Sequence, residues 1–536
     1  MIIPPIPRSV SRPLSVTVLV AWVCQMGALV NRAYLQAAPV ALGGDLSRYG
    51  PSAHWKGIYY RGDKIGFVVG QTTPRDDGYE LQEDGQIQMT LMGATTAARL
   101  STSALVDRAF GLRSFSFSLD PGTGSIAVTG HLEALRLHLR IQTPTGTRDE
   151  TRDLMEAPLL GLNLPRHLAA QGLAPGKRFQ VRIFDPATLA NAPMFIEVKE
   201  RELVRAAGRP LPAFRVEGRF SGISSTSWIT ETGEVLREES PTGLVILKET
   251  QEQATALAVS AQVRADLLQA AAIEPRMDRP IDDPSAVEYL RVRLTGAGLS
   301  GPDLQGVGQS VDGEIFEVRY TDHLPPGPHD PDLQEYLAAE PFIESDAPEI
   351  VAEARRATAG ITGSRAQAER LVRHVNALLE KKPTLSLPSA REVLRTKVGD
   401  CNEHTILYVA LARALGLPAR VAVGLVHLRG AFFYHAWSEV YLDEAGGRGR
   451  WLAVDPTLNQ FAADATHLRL ARGGLDRQAA ILPLIGRARI AVIEFRMRPG
   501  ATPILVGREG LDSRPLDIVI PRRGGSARGC WSRPGT

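Results

Sequence analysis

Cysteine is almost missing from this chain. Its 536 residues hold three, Cys24, Cys401 and Cys530. One lies in an apolar N-terminal run, one in the interior of the sequence and one in the tail, so no disulfide framework follows and Cys401 is left as a free thiol. Charge of one sign is missing too. Against 61 Lys and Arg stand 59 Asp and Glu, a net charge of +2, which gives no electrostatic footprint for nucleic acid. No Walker loop, GxGxxG or internal repeat is present, and neither Cys-x-x-Cys nor His-Glu-x-x-His occurs. Cys401, His404, His435 and Asp455 are all of zinc-ligand type, but without those spacings no metal or cofactor is expected.

Long hydrophobic runs are also scarce, with one exception at residues 14–30, which carry no charge and follow Arg8 and Arg12. The preceding arginines place the N-terminus inside by the positive-inside rule. The run is near the lower limit for a spanning helix. The alternative is the core of a cleaved signal peptide, but Asn31-Arg32-Ala33-Tyr34 offers no small-x-small cleavage site. The segment therefore reads as an uncleaved transmembrane anchor, with the rest of the chain on the periplasmic or extracellular side. On either alternative the bulk of the chain is exported.

What is present reads as α+β. Residues 1–35 form the anchor or signal segment. Residues 45–250 have β texture: Gly57 to Gly70 holds two short strands around a Gly-Asp turn, and further strand-like runs occur at 86–92, 114–119, 125–128, 135–141, 178–184, 195–200, 213–220 and 227–230. Short strands at even spacing predict an antiparallel sheet, curved or sandwiched, and the texture is loosely similar to lipoprotein-carrier-like half-barrels. Residues 251–330 read as a small β unit, with strands at 286–294 and 314–319, and a Pro-rich linker at 324–331. Residues 331–498 form a mixed domain with helices at 348–357 and 364–382, the latter with a capping box on Ser364 and Gln367. Ser389 and Glu392 repeat that signature. A short helix at 476–485 and a strand at 488–495 follow. Residues 499–536 turn Gly-, Pro- and Arg-rich, and little order is expected.

The chain is organised around Gly399-Asp400-Cys401-Asn402-Glu403-His404. Asp400 and Glu403 have capping-box spacing. Ile406, Leu407, Val409, Ala410 and Leu415 then fit one apolar helix face, and Gly416 and Pro418 end it. Cys401 thus falls on the first helical residue, where the helix dipole favours a thiolate and a lowered pKa is expected. The same backbone N–H groups could receive an oxyanion, although no second donor can be placed. Tyr434-His435-Ala436-Trp437 reads as part of a strand with alternating faces. Trp451 to Pro456 reads as a short strand with Asp455 at its tip, although an Asp before a proline is also a common turn start. A thiol, an imidazole and a carboxylate are what a cysteine nucleophile requires.

These segments, with Leu417-Pro418-Ala419-Arg420 and Val423-Gly424 between them, resemble the transglutaminase-like superfamily of papain-type cysteine enzymes over roughly residues 345–495. The resemblance implies Cys401 as nucleophile, His435 as general base and acid, and Asp455 as the carboxylate that orients the imidazole. It implies acyl transfer from a peptide or protein amide through a thioester, to water or to an amine. Peptidase or amidase activity is favoured. A protein-cross-linking transglutaminase and a non-catalytic binding or assembly protein that retains the fold are the alternatives. Oligomeric state is not legible.

Overall fold

A computed structural model describes residue 49 and residues 52–498, apart from 92–93, 122–123, 221–222, 242, 257–271, 297–301, 383–388, 445–447, 474–483 and 485–486. The expected membrane anchor, the helix at 476–485 and the tail from 499 lie outside or largely outside the described residues. Among those that are described, no helix is long and apolar enough to cross a membrane. The chain divides into two compact units, one running to Ala270 and the other from Ala271 onward, with 383–387 grouped with the first.

The first unit is one antiparallel sheet of 14 strands. Eight run as a meander from His54–Tyr60 to Gly146–Asp153. The last strand, Leu244–Glu249, returns to pair with the first, and the order continues outward to Arg178–Asp185. Alternation is the cause of the strands. In Arg136–Thr143, Leu137, Leu139 and Ile141 are buried, while Arg136 and Arg140 face out. The helix Leu164–Ala170 buries Leu168 against Ile196, Val198, Phe214 and Val216 of the sheet.

Among its described residues the second unit holds a four-stranded sheet, a six-stranded sheet, a two-stranded parallel pair and a helical layer. Val287–Thr295 and Ile315–Arg319 correspond to the expected strands of the small β unit. Their sheet is completed on one side by Gln309–Asp312 and on the other by Arg489–Met497, so the last described strand pairs with residues some 200 positions earlier. One hydrophobic core runs from this small sheet through the helices to the main sheet. The main sheet has the order Gly327–Pro328, Arg448–Asp455, Ala431–Glu444, Ala419–Leu428, Leu468–Arg472. The Pro-rich stretch read as a linker is thus held along a sheet edge. Arg450 donates to the Asp322 and Leu324 carbonyls, and Trp451 to Asp330.

Three expectations about helices need correction. Ser364 does not cap Ser364–Leu378; the N-cap is Gly363, and no side chain caps it. Ser389 is the N-cap of Ala390–Thr396, but its hydroxyl donates to Glu344 instead of bonding its own helix. The helix Cys401–Ala414 also differs from the single apolar face expected of it, because Glu403 through Arg413 are all buried. Sheet strands cover one side, and the helices Pro348–Ala357, Ser364–Leu378 and Ala390–Thr396 cover the rest. A helix enclosed on all sides needs no polar face.

Candidate active site

The thiol is placed by the segment that leads into its helix. Glu380–Lys381 pairs in parallel with Val398–Gly399, which fixes the backbone just before the helix. Asp400 is the N-cap: it accepts the Asn402 N–H at 3.0 Å, and the Glu403 carboxylate accepts the Asp400 N–H at 2.9 Å. Glu403 folds back directly over Gly399, where a Cβ would come within 2.2 Å of the Glu403 Cβ. Glycine there is a requirement of the capping box. Cys401 begins the helix, partly exposed.

The Ala436 backbone amide lies close enough to the Cys401 thiol to favour its ionised form, which places the sulfur beside the residue that follows His435. The expected lowered pKa is overturned. Burial pushes the thiol well above its ordinary value, and the charges of Asp400, Glu403 and Asp455 push in the same direction, against the Ala436 N–H. The capping box that positions Cys401 also supplies two of the anions that oppose its ionisation.

His435 lies in the strand Ala431–Glu444, opposite Gly424. A Cβ on Gly424 would come within 1.9 Å of the Leu468 carbonyl, so this glycine allows the next strand to close in behind His435. The His435 ring is buried and lies roughly parallel to Trp437, centroids 6.4 Å apart. His435 Nε2 is 2.7 Å from Asp455 Oδ2.

Asp455 divides its oxygens between the two readings of the sequence. Oδ1 accepts the Thr457 and Leu458 N–H groups at 2.7 and 3.0 Å, the turn-capping role. Oδ2 faces His435 and, at 3.1 Å, a second imidazole, His467 Nε2. Burial alone would raise the carboxyl, but the charge and hydrogen bond of His435, then those of His467, outweigh it and hold Asp455 far below the usual carboxylate range.

His467 was not legible in the sequence. It stands in Ala463-Asp464-Ala465-Thr466-His467, with no motif around it. Its Nδ1 is 3.0 Å from the Asp464 carbonyl and 3.3 Å from the Asp464 carboxylate, so both ring nitrogens face acceptors. Burial opposes its charge, but Asp464 and Asp455 prevail and raise it to about 10. His435, Asp455 and His467 place one ligand-type atom each within 4.8 Å of the others. Their closest separations are those of hydrogen bonds to one shared oxygen.

His404, also of ligand type, is turned elsewhere: its Nδ1 is 2.7 Å from the Asp400 carbonyl, and Nε2 has no hydrogen-bond partner. Burial lowers its pKa. Four residues along the strand from His435, the fully buried Glu439 accepts from Arg420, Arg469 and Arg472 at 2.8, 2.8 and 3.0 Å. Arg420 lies in turn 3.7 Å from the Trp451 ring centroid. These bonds tie three neighbouring strands of the main sheet together beside the imidazole.

Residues 351–456 match the transglutaminase-like superfamily. The matched span contains Cys401, His435 and Asp455 and stops short of His467. No curated protein matches the chain. Among solved structures, a candidate cysteine protease from Cytophaga hutchinsonii is 18% identical with a TM-score of 0.25, covering 40% of this chain and 86% of its own. A candidate protease from Parabacteroides distasonis is 10% identical with a TM-score of 0.19, covering 73% and 68%. A beta-barrel-like protein of a domain of unknown function from Brucella abortus is 13% identical with a TM-score of 0.29, covering 37% and 95%. At such scores these likenesses add nothing to the reading of the transglutaminase-like site.

Proposed function

We propose that the transglutaminase-like segment is a cysteine acyl-transfer centre that cleaves a peptide or protein amide. The observation that carries the reading is that Asp455 bonds His435 Nε2 at 2.7 Å while the Cys401 thiol lies beside the backbone of Ala436, the next residue along the same strand. With Nε2 committed to the carboxylate, Nδ1 is the ring nitrogen that takes the thiol proton. The sulfur attacks the amide carbon, and the C–N bond breaks as the imidazolium returns its proton to the leaving nitrogen. Water then hydrolyses the thioester, with the same imidazole as base. Because burial and the capping carboxylates favour the protonated thiol, proton transfer accompanies attack instead of preceding it. The Cys401 backbone N–H at the helix start is the first donor to the developing oxyanion. His467 and Asp464 keep Asp455 ionised and fixed toward His435.

The uncharged run at 14–30 behind Arg8 and Arg12 supports an exported, membrane-tethered protein. A periplasm-active reporter fused after residue 536 should give signal in the membrane fraction. Signal only from cytoplasm-active fusions would refute export.

The chemistry is tested by mass spectrometry of candidate peptides incubated with the protein, with and without an added primary amine. Hydrolysed product that depends on Cys401 is the expected result. Amine-linked product would move the assignment to transamidation. No covalent adduct or product with any amide or thioester probe would overturn catalysis.

A further inference from the structure

The sheet of the first unit lines a partly open cavity of about 480 Å³. That is inside the range of ligand pockets, roughly 300–1,000 Å³, and much larger than the gaps a packed interior leaves. Its walls include Val68, Leu81, Leu168, Ile183, Ile196 and Val216, on strands from both halves of the sheet and on the helix Leu164–Ala170.

The charges around the cavity do not cancel. Lys56 is paired with Glu83 at 3.1 Å. Glu234 is paired with His54 at 2.7 Å and also with Lys248. Glu238 lines the wall without an ion pair among the described residues, and burial raises its carboxyl toward the neutral form. Arg166, half-buried on the short helix, also lines the cavity and makes no ion pair or side-chain hydrogen bond among the described residues. Burial disfavours its charge, and the nearest opposing carboxylates, Glu234 and Glu83, are already engaged. A partly desolvated guanidinium with no counter-ion is costly unless something arrives to pair with it.

We infer that this cavity binds a single-chain amphiphile with a carboxylate head, its alkyl chain against the apolar walls and its carboxylate on Arg166. A guanidinium binds a carboxylate in a two-pronged fashion. A phosphate monoester fits less well, because its second charge would meet Glu83 and Glu234 with only one free cation among the described residues that line the cavity. The site lies wholly within the first unit and does not depend on the chemistry of Cys401.

The test is calorimetric titration of the full chain, below micelle concentrations, with dodecanoate, dodecanol, dodecyl phosphate and dodecyltrimethylammonium. Dodecanoate should bind saturably and about tenfold or more tighter than dodecanol, and Arg166→Gln should remove that preference while leaving dodecanol binding unchanged. A photoreactive dodecanoate should label peptides that contain cavity residues, a readout independent of any variant. No saturable binding, equal affinity for dodecanol, tighter binding of the phosphate or the ammonium, or labelling elsewhere would each overturn the inference.

Discussion

The edge strand Gly146–Asp153 and the central strand Ala431–Glu444 both depend on ionic contacts, and they use them in opposite ways. At the edge, Arg136 pairs with Asp153 and Arg140 with Asp149, and every one of these side chains is more than half exposed. At the centre, Glu439 is completely buried among three arginines, and His435, Asp455, His467 and Asp464 form a hydrogen-bonded row with almost no exposure. Exposed pairs are screened and contribute little. Buried ones cost desolvation, and removing one member strands the others. The central charges therefore act through geometry: they fix where an imidazole points, at the expense of making each member hard to replace.

The strongest way to break this comparison is at the thiol. Cys401→Ala should abolish turnover, since no covalent step remains. His435→Ala should nearly stop acylation while the thiol persists, as thioester formation with an activated ester probe would report. Next in size is Asp455→Asn, which keeps the shape but loses the charge that favours the imidazolium. Turnover should fall by about 10² to 10⁴. Unchanged activity would remove Asp455 from the mechanism.

Stability should separate the two strands as well. Glu439→Gln leaves three arginines around a neutral amide and should destabilise the second unit by about 3–5 kcal/mol, measured by chemical denaturation of the full chain. The row behind His435 adds a pH dependence with a definite sign. His467 is raised from 6.5 to about 10 on folding, so its contribution is complete below the lower value and disappears as pH rises through the higher one. Asp464 is lowered, chiefly by His467 against the opposing effect of burial, so its contribution is present above the ordinary carboxylate value and fades in acid. Stability should therefore decline from about pH 6.5 toward pH 10, and His467→Gln should flatten that decline. A variant with the same alkaline profile as the parent would mean that His467 is not charged in the folded protein.

Much of the fold was legible because it is periodic. Leu137, Leu139 and Ile141 alternate, so their strand could be read, and Asp400 with Glu403 announced the capped helix that carries Cys401. The neighbouring strand Gly146-Thr-Arg-Asp-Glu-Thr-Arg-Asp153 has no apolar residue and gave no strand signal. It exists because its partner offers a hydrogen-bonding edge and arginines at the right register. His467 and the three arginines around Glu439 were illegible for a related reason. They meet through pairings between strands far apart in sequence, and nothing local marks them. The thiol pKa runs against the sequence reading because the sequence does not show how deeply the helix start is buried, and because the two carboxylates of the cap add to that effect.

The smallest expected effect is the most discriminating for the edge strand. Arg140 is paired with Asp149 through two hydrogen bonds, at 2.7 and 3.1 Å, and that pair lowers the Asp149 carboxyl, yet both groups stand in solvent. If such pairs only decorate a register already set by Leu137, Leu139 and Ile141, then Arg140→Ala should leave the thermal midpoint of the first unit unchanged within error, and added salt should change it equally little. If instead the strand is held by its charges, the substitution should release its amides to rapid hydrogen exchange, and salt should do the same to the parent protein. Fast exchange confined to Gly146–Asp153 in Arg140→Ala would show that an exposed ladder can carry a strand with no apolar face, and the contrast with Glu439 would then be one of degree only.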